Sequence, residues 1–460
     1  MHDTCSILAD EIRKYESEMP GLKVTPAVSA EEIRLHLRSS FDFAKPHPLP
    51  ELTRLVAGML RRWNVQIVHP RHFGLFNPSI RPAGVVADAL TALFKPQVGG
   101  WWYSPGANEI ESHTLGFFTR QIGFDPATSA THFTSGGSEA NLSAVLVALT
   151  RAFPAYGENG MAHVGAQPTF YLSEEAHDSF AKIAHHTGIG RRALRRVKTD
   201  ANLSLDPADL TRRVNEDREA GKHPFLVVGT AGTPGAGVID PLLQIGEFCR
   251  NEHLWFHVDA AWGGGALLSP RLRDHLRGIS ESDSVTWDAH KWLSVPMGAG
   301  MFFCKDREAV GRTFSVETGY VPDNLAGTVD LYKASLLWSR RFIGLKVFMT
   351  LAELGSDGIV ALIDHQAAMG NDLRARLRER GWRIVNDSPL PLVCFTHPAI
   401  RAGRVSAGDV VARMLASEGV WLSKVRYRDE DVLRACVTSY LTQASDIGAL
   451  LEQAEKAVQS

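Results

Sequence analysis

The sequence predicts an α/β fold built on a mostly parallel central sheet. Two observations lead there. From about residue 107, short apolar segments of strand length ("THFT", "PTFYLS", "FLVVGT", "LWFHVDA", "SVTW", "GMFFCK") alternate with amphipathic stretches of helical length. Residues able to do chemistry gather where those apolar segments give out, as in "SVTWDAHKWLSVPMGAGMFF" (284–303). Strands separated by helices pair in parallel, and both sheet faces are then covered. In such sheets ligands bind at the carboxyl ends of the strands.

The elements follow in order. Residues 1–100 read as helices with Pro-rich connections, and "HPRHFGLFNPS" (69–79) is an aromatic, Pro-containing loop. The helix "ANEIESHTLGFFTRQIGF" leads into strand "THFT" and helix "SEANLSAVLVALTRAF". Strand "PTFYLS", helix "SFAKIAHHTG", strand "RALRRV" and helix "DPADLTRRVNEDREAG" come next. Strand "FLVVGT", helix "LLQIGEFCRNE" and the strands "LWFHVDA", "SVTW" and "GMFFCK" complete the region. Beyond about residue 360, long helices and the short strands "WRIVN", "LVCFTH" and "LRACVTS" predict a small α+β domain. The expected division is 1–100, a helical segment; 101–360, the large domain; and 361–460, the small domain.

Composition narrows the function. The chain has 460 residues, 44% hydrophobic and 22% charged, with a net charge of −2. A near-neutral chain without a basic stripe does not suggest nucleic-acid or membrane-surface partners. Five scattered cysteines form neither a metal-ligand pattern nor a disulfide framework, so no metal is expected. The charged, helically spaced start reads as neither a signal nor a transit peptide, and no apolar run is long enough to span a membrane. A cytoplasmic location is expected.

Four features fall at predicted strand ends. "FTSGGSEANLSAVLVAL" (133–149) joins Gly136-Gly137 to a Ser138-capped helix, whose first N–H groups suit a phosphate. It lacks the Gly-Lys-Ser/Thr ending of a P-loop. Asp259 closes the apolar strand "LWFHVDA", Lys291 follows "SVTWDAH", and His177 follows "PTFYLS". Singly, each has a plainer reading: a capped helix, an exposed strand-end acid, a solvated lysine and a structural histidine. Together they supply what pyridoxal 5'-phosphate (PLP) requires: an anion site, a carboxylate for the pyridine nitrogen and a lysine for the aldehyde.

The motifs "TSGGSEAN", "SEEAHDSFAKIAHHTGIG", "GTAGTPGAGVIDP", "HVDAAWGG", "DAHKW" and "SRRFIGLKVFMTL" occur in this order over roughly residues 65–355. In them the sequence resembles the group II PLP-dependent amino-acid decarboxylases, the family of the aromatic-L-amino-acid and glutamate decarboxylases. The resemblance implies the PLP-dependent transferase-like fold (fold type I) and decarboxylation of an L-amino acid to the amine and CO₂. It implies an internal aldimine on Lys291, a pyridinium partner in Asp259, and His177 stacked on the ring. It implies phosphate contacts from Gly137 and Ser138, packing of Ala261 on the ring, and His290 near the phosphate or the aldimine. Thr230 is a candidate cofactor contact, ahead of Thr233. It also implies a homodimer with the active site at the interface.

A loop tyrosine serves as general acid in many members. Tyr332 is the preferred match and Tyr320 its rival, with Pro322, Asn324 and Gly327 suiting a flexible lid. Without that tyrosine, decarboxylation coupled to oxidative deamination, giving an aldehyde, is the alternative; a carbon–carbon lyase or aminotransferase is a second one, because the wider fold hosts many reactions. The substrate loop matches "HPRHFGLFNPS", with Phe73 and Phe76 expected as apolar walls. Leu75 and Asn77 stand where aromatic decarboxylases typically carry tyrosine and proline, and Asp288 where they carry asparagine. Trp101, Trp102 and Tyr103 belong either to the pocket or to interface packing. The expected substrate is aromatic or bulky and apolar; an acidic one would need Arg71 free to receive it.

Overall fold

A computed structural model describes residues 2–76, 79–319 and 327–459. Asn77, Tyr320, Pro322 and Asn324 lie outside the described residues. The chain divides into two compact units. One comprises residues 1–79, 368–385 and 393–460, so the N-terminal helices and most of the C-terminal region group together; the other comprises 80–367 and 386–392. No helix among the described residues is long and apolar enough to cross a membrane.

The larger unit is built on a seven-stranded sheet. Its strands are β1 (Ala130–Thr134), β2 (Pro168–Ser173), β3 (Leu194–Val197), β4 (His223–Thr230), β5 (Trp255–Asp259), β6 (Ser284–Asp288) and β7 (Gly300–Cys304). Their spatial order is β1-β7-β6-β5-β4-β2-β3. The run β6-β5-β4-β2-β3 is parallel, and β7 runs antiparallel between β1 and β6. Every residue of β2, β5, β6 and β7 is buried. That is what continuous rather than alternating apolar runs produce when helices cover both faces. Ala140, Ala144, Val145 and Ala148 of the helix Gly137–Ala152 pack with Phe170, Leu172 and Phe302 in one core.

The smaller unit carries β8 (Arg383–Ile384), β9 (Leu392–Thr396), β10 (Ser423–Tyr427) and β11 (Glu430–Cys436), in the order β10-β11-β9-β8. β10 was absent from the sequence-based expectation, because "SKVRY" alternates half-buried with exposed positions and has no apolar run. The loop at 69–76 also differs from expectation. Phe73 is fully buried with Leu373, Trp382, Phe395 and Leu433, which makes it a core residue and not a pocket wall. The Phe76 ring faces the Arg434 guanidinium, 4.8 Å from the ring centroid. Arg71 Nε donates to Asp446 Oδ1 at 2.9 Å.

Candidate active site

The sheet register sets the site. Thr230 pairs with Asp259, and Asp259 with Thr286, so the carboxyl ends of β4, β5 and β6 lie side by side. Asp288 ends β6, and one helical turn (Ala289–Trp292) carries His290 and Lys291 beyond it. Lys291 is therefore placed at a sheet edge by a strand that has run out. Its Nζ lies 3.1 Å from Asp288 Oδ2, and its side chain keeps 21% exposure while Asp288 keeps 2%.

The helix Gly137–Ala152 starts beside this turn. A Cβ at Gly137 would stand 3.0 Å from Asp288 Oδ2 and 3.1 Å from the Ala261 methyl. A side chain there would force the helix away, so glycine brings its N-terminus against Asp288 and Ala261. At neighbouring Gly136 a Cβ would meet His290 Cε1 at 3.5 Å. Glu139 and Ala140 donate their N–H groups to Gly136 O. Ser138 stands exposed at the helix start, where the helix dipole favours an anion.

Asp259 is 6% exposed and held from two sides. Asn141 Nδ2 donates to its Oδ2 at 2.9 Å, and the Ala261 N–H donates to its Oδ1 at 3.1 Å. Asn141 Oδ1 in turn accepts from His257 Nε2 at 3.1 Å, which leaves His257 Nδ1 to accept from Ser284 Oγ at 2.9 Å. Burial pushes the His257 pKa down to about 4, so the ring is neutral at pH 7, in keeping with that chain of bonds. Asn141 and His257 lie within the motifs "TSGGSEAN" and "HVDAAWGG" but carry no expected role. The available signal was spacing: a polar His257 two residues before Asp259 shares its face of an otherwise apolar strand.

The remaining predicted residues fall as follows. Thr230 Oγ1 is buried with no hydrogen-bond partner among the described residues, and the Thr230 N–H donates to Asp240 Oδ2 at 2.8 Å. Thr233 Oγ1 instead accepts the Val238 N–H, closing a turn. His177 is exposed just past β2, and its Nδ1 accepts the Ser179 N–H at 3.1 Å, so the neutral ring carries its proton on Nε2. His290 is buried and its Nδ1 accepts the Ala299 N–H at 3.2 Å; burial lowers its pKa, against the opposing pull of Asp288.

Tyr332 sits in a short 3-10 turn (Leu331–Lys333), 6% exposed. Its N–H donates to Gly99 O, and its ring centroid lies 4.6 Å from that of Trp338. The "SRRFIGLK" motif is structural here. Arg340 braces the end of β1 through Phe133 O, while Arg341 and Lys346 both pair with Asp88.

The donor set suits PLP. A lysine nitrogen sits beside a glycine-opened helix N-terminus with an exposed serine. A buried carboxylate is fixed on the neighbouring strand. Thr230 Oγ1 and Asp288 Oδ1 are buried polar atoms without partners among the described residues.

Three comparisons extend the picture. The family model of the pyridoxal-dependent decarboxylase conserved domain matches residues 45–397. The chain is 30% identical over 437 residues to an aromatic-L-amino-acid decarboxylase of Bacillus atrophaeus, covering 93% of this chain and 89% of that one. It is 30% identical over 412 residues to an acidic amino acid decarboxylase of Homo sapiens, covering 87% of this chain and 77% of that one. The crystal structure of Oryza sativa TDC with PLP and tryptamine superposes with a TM-score of 0.93 at 23% identity, over 100% of this chain and 97% of that one, which is a likeness of fold.

Proposed function

Because this chain belongs to the pyridoxal-dependent decarboxylase family and is a PLP-dependent amino-acid carboxy-lyase, we propose that its substrate is an aromatic or bulky apolar L-amino acid, converted to the amine and CO₂. The observation that carries the substrate choice is the Arg71–Asp446 pair: the arginine considered for an acidic substrate is already committed to an aspartate. The 30% identity to an aromatic-L-amino-acid decarboxylase is matched by the 30% identity to an acidic amino acid decarboxylase, so the choice rests on the residues.

PLP, when bound, supplies the aldehyde that captures the amine and the electron-withdrawing ring that accepts the electrons left as CO₂ departs. The chain's residues divide the rest. Gly137 and Ser138 offer backbone N–H groups and a hydroxyl to the phosphate. Lys291 supplies the nitrogen for the aldehyde, with His290 beside it. Asp259, kept in place by Asn141 and Ala261 N–H, holds a proton on the pyridine nitrogen. Thr230 Oγ1 is free to take a cofactor contact. His177, its ring oriented by the Ser179 N–H, and Ala261 would pack against the cofactor ring. Tyr332 would supply the proton for Cα, with Tyr320 the rival for that role.

The protein works as a cytoplasmic homodimer in this reading. Exposed apolar residues on the N-terminal helices, among them Leu35, Leu55 and Leu60, support an interface between copies. The test of the substrate is kcat/KM for tryptophan, tyrosine and phenylalanine against glutamate and aspartate. A preference for the aromatic set supports the proposal, and a preference for the acidic pair overturns it.

A further inference from the structure

Asp288 has a charge opposite in sign to what an anion cradle calls for, yet it is built into the cradle. Its carboxylate is 2% exposed. Oδ2 lies 3.1 Å from Lys291 Nζ and 3.7 Å from His290 Nε2. The position a Cβ would take at Gly137 is 3.0 Å from Oδ2 and 3.4 Å from Oδ1, so the carboxylate leans against the first residue of the helix Gly137–Ala152. Oδ1 has no hydrogen-bond partner among the described residues. The backbone cannot easily withdraw the group, because the Asp288 N–H donates to Ala261 O and the next N–H, of Ala289, donates to Ala299 O.

A carboxylate at a helix N-terminus satisfies the same electrostatics as an external anion. Lys291 and His290 are the titratable groups against it; Lys346 acts on His290 from further off and is itself paired with Asp88. We infer that Asp288 is an internal anion that lowers the affinity of this site for the cofactor's phosphate, an affinity-setting residue rather than a catalytic one. In the cofactor-free protein it neutralises Lys291 and the positive end of the helix. A phosphate received at the helix N-terminus would meet a buried like charge, where the local dielectric is low. The inference rests on the PLP reading of the site.

The experiment uses the full-length protein stripped of cofactor and titrated with pyridoxine 5'-phosphate, followed by tryptophan fluorescence. This probe has an alcohol in place of the aldehyde, so Lys291 forms no bond with it and the phosphate contribution stands out. Asp288→Asn is expected to bind it roughly tenfold or more tightly than wild type. Pyridoxine, which lacks the phosphate, should bind both proteins alike. Equal or weaker binding of pyridoxine 5'-phosphate by Asp288→Asn overturns the inference. If Asp288→Asn melts well below wild type, Asp288→Ser takes its place under the same two criteria. Wild-type protein that shows visible absorbance with PLP, but no tightening in the variants, refutes this inference alone. Wild-type protein that binds no PLP refutes the site reading together with it.

Discussion

Asn141 holds Asp259: its side-chain amide donates to the Asp259 carboxylate at 2.9 Å, and its own oxygen is held by His257 at 3.1 Å. The pair ties the N-terminal part of the helix Gly137–Ala152, proposed as the anion cradle, to the end of β5, which carries Asp259. In the proposed PLP site this tie would set the spacing between the phosphate contacts and the acid. Asn141→Ala removes the tie and leaves Asp259 buried with one fewer donor. Loss of a supporting hydrogen bond of this kind is expected to reduce cofactor affinity and kcat by about 10–100-fold. PLP retention on gel filtration and steady-state kinetics check it; unchanged values on both would remove the positioning role.

Asp259→Ala removes the group proposed to keep the pyridine nitrogen protonated. Turnover should fall by about 10³-fold or more, and the cofactor should dissociate more readily. Wild-type kinetics in this variant would show that Asp259 has another role.

Tyr332 is the residue proposed to donate the proton, with Tyr320 as its rival. Tyr332 is packed against Trp338 in a buried turn, so removing only its hydroxyl leaves that packing intact. Tyr332→Phe is expected to cut amine formation by about 10²-fold or more with little change in KM. A loss confined to Tyr320→Phe would move the role to that residue.

Glu111 provides a pH signature separate from catalysis. Burial raises its pKa from the ordinary 4.5 to about 7, against the pull of Arg340; Oε1 accepts the Gly344 N–H, and Oε2 has no partner among the described residues. The folded protein therefore keeps a proton that the unfolded chain releases between pH 4.5 and 7. This contribution to stability is present below pH 4.5 and is lost as the pH rises through 7. Its slope reaches about 1.4 kcal/mol per pH unit. Glu111→Gln keeps the acceptor for Gly344 and places an amide at Oε2. Wild-type and variant denaturation midpoints should diverge across this window in favour of the variant as the pH rises. Parallel profiles would show that Glu111 is ionised throughout.

Much of this architecture was legible because the relevant information is local. Apolar runs of strand length announced β2, β4, β5, β6 and β7, and the polar residues that ended them were the ones the register aligned at one edge. Gly137 was legible as a close approach, although only the fold shows that Asp288 and Ala261 are what it approaches. Partners far apart in the chain were not legible. The Arg71–Asp446 pair spans nearly the whole sequence, and the burial of Phe73 depends on strands more than three hundred residues away. β10 escaped notice because an edge strand covered on one side only has no apolar run to reveal it. "SRRFIGLK" carried part of the family resemblance, and only the fold shows what its side chains do: Arg340 braces β1, while Arg341 and Lys346 pair with Asp88.

The central claim is that the nitrogen of Lys291, poised beside Asp288 at the end of β6, is the one that captures the cofactor. Borohydride reduction of the PLP-loaded protein adds hydride across the carbon–nitrogen link and makes it permanent, and peptide mass spectrometry then locates the phosphopyridoxyl group. One modified lysine is expected, Lys291, with neither visible absorbance nor label in Lys291→Ala. A label on another lysine, or a Lys291→Ala protein that still colours and turns over substrate, would contradict it.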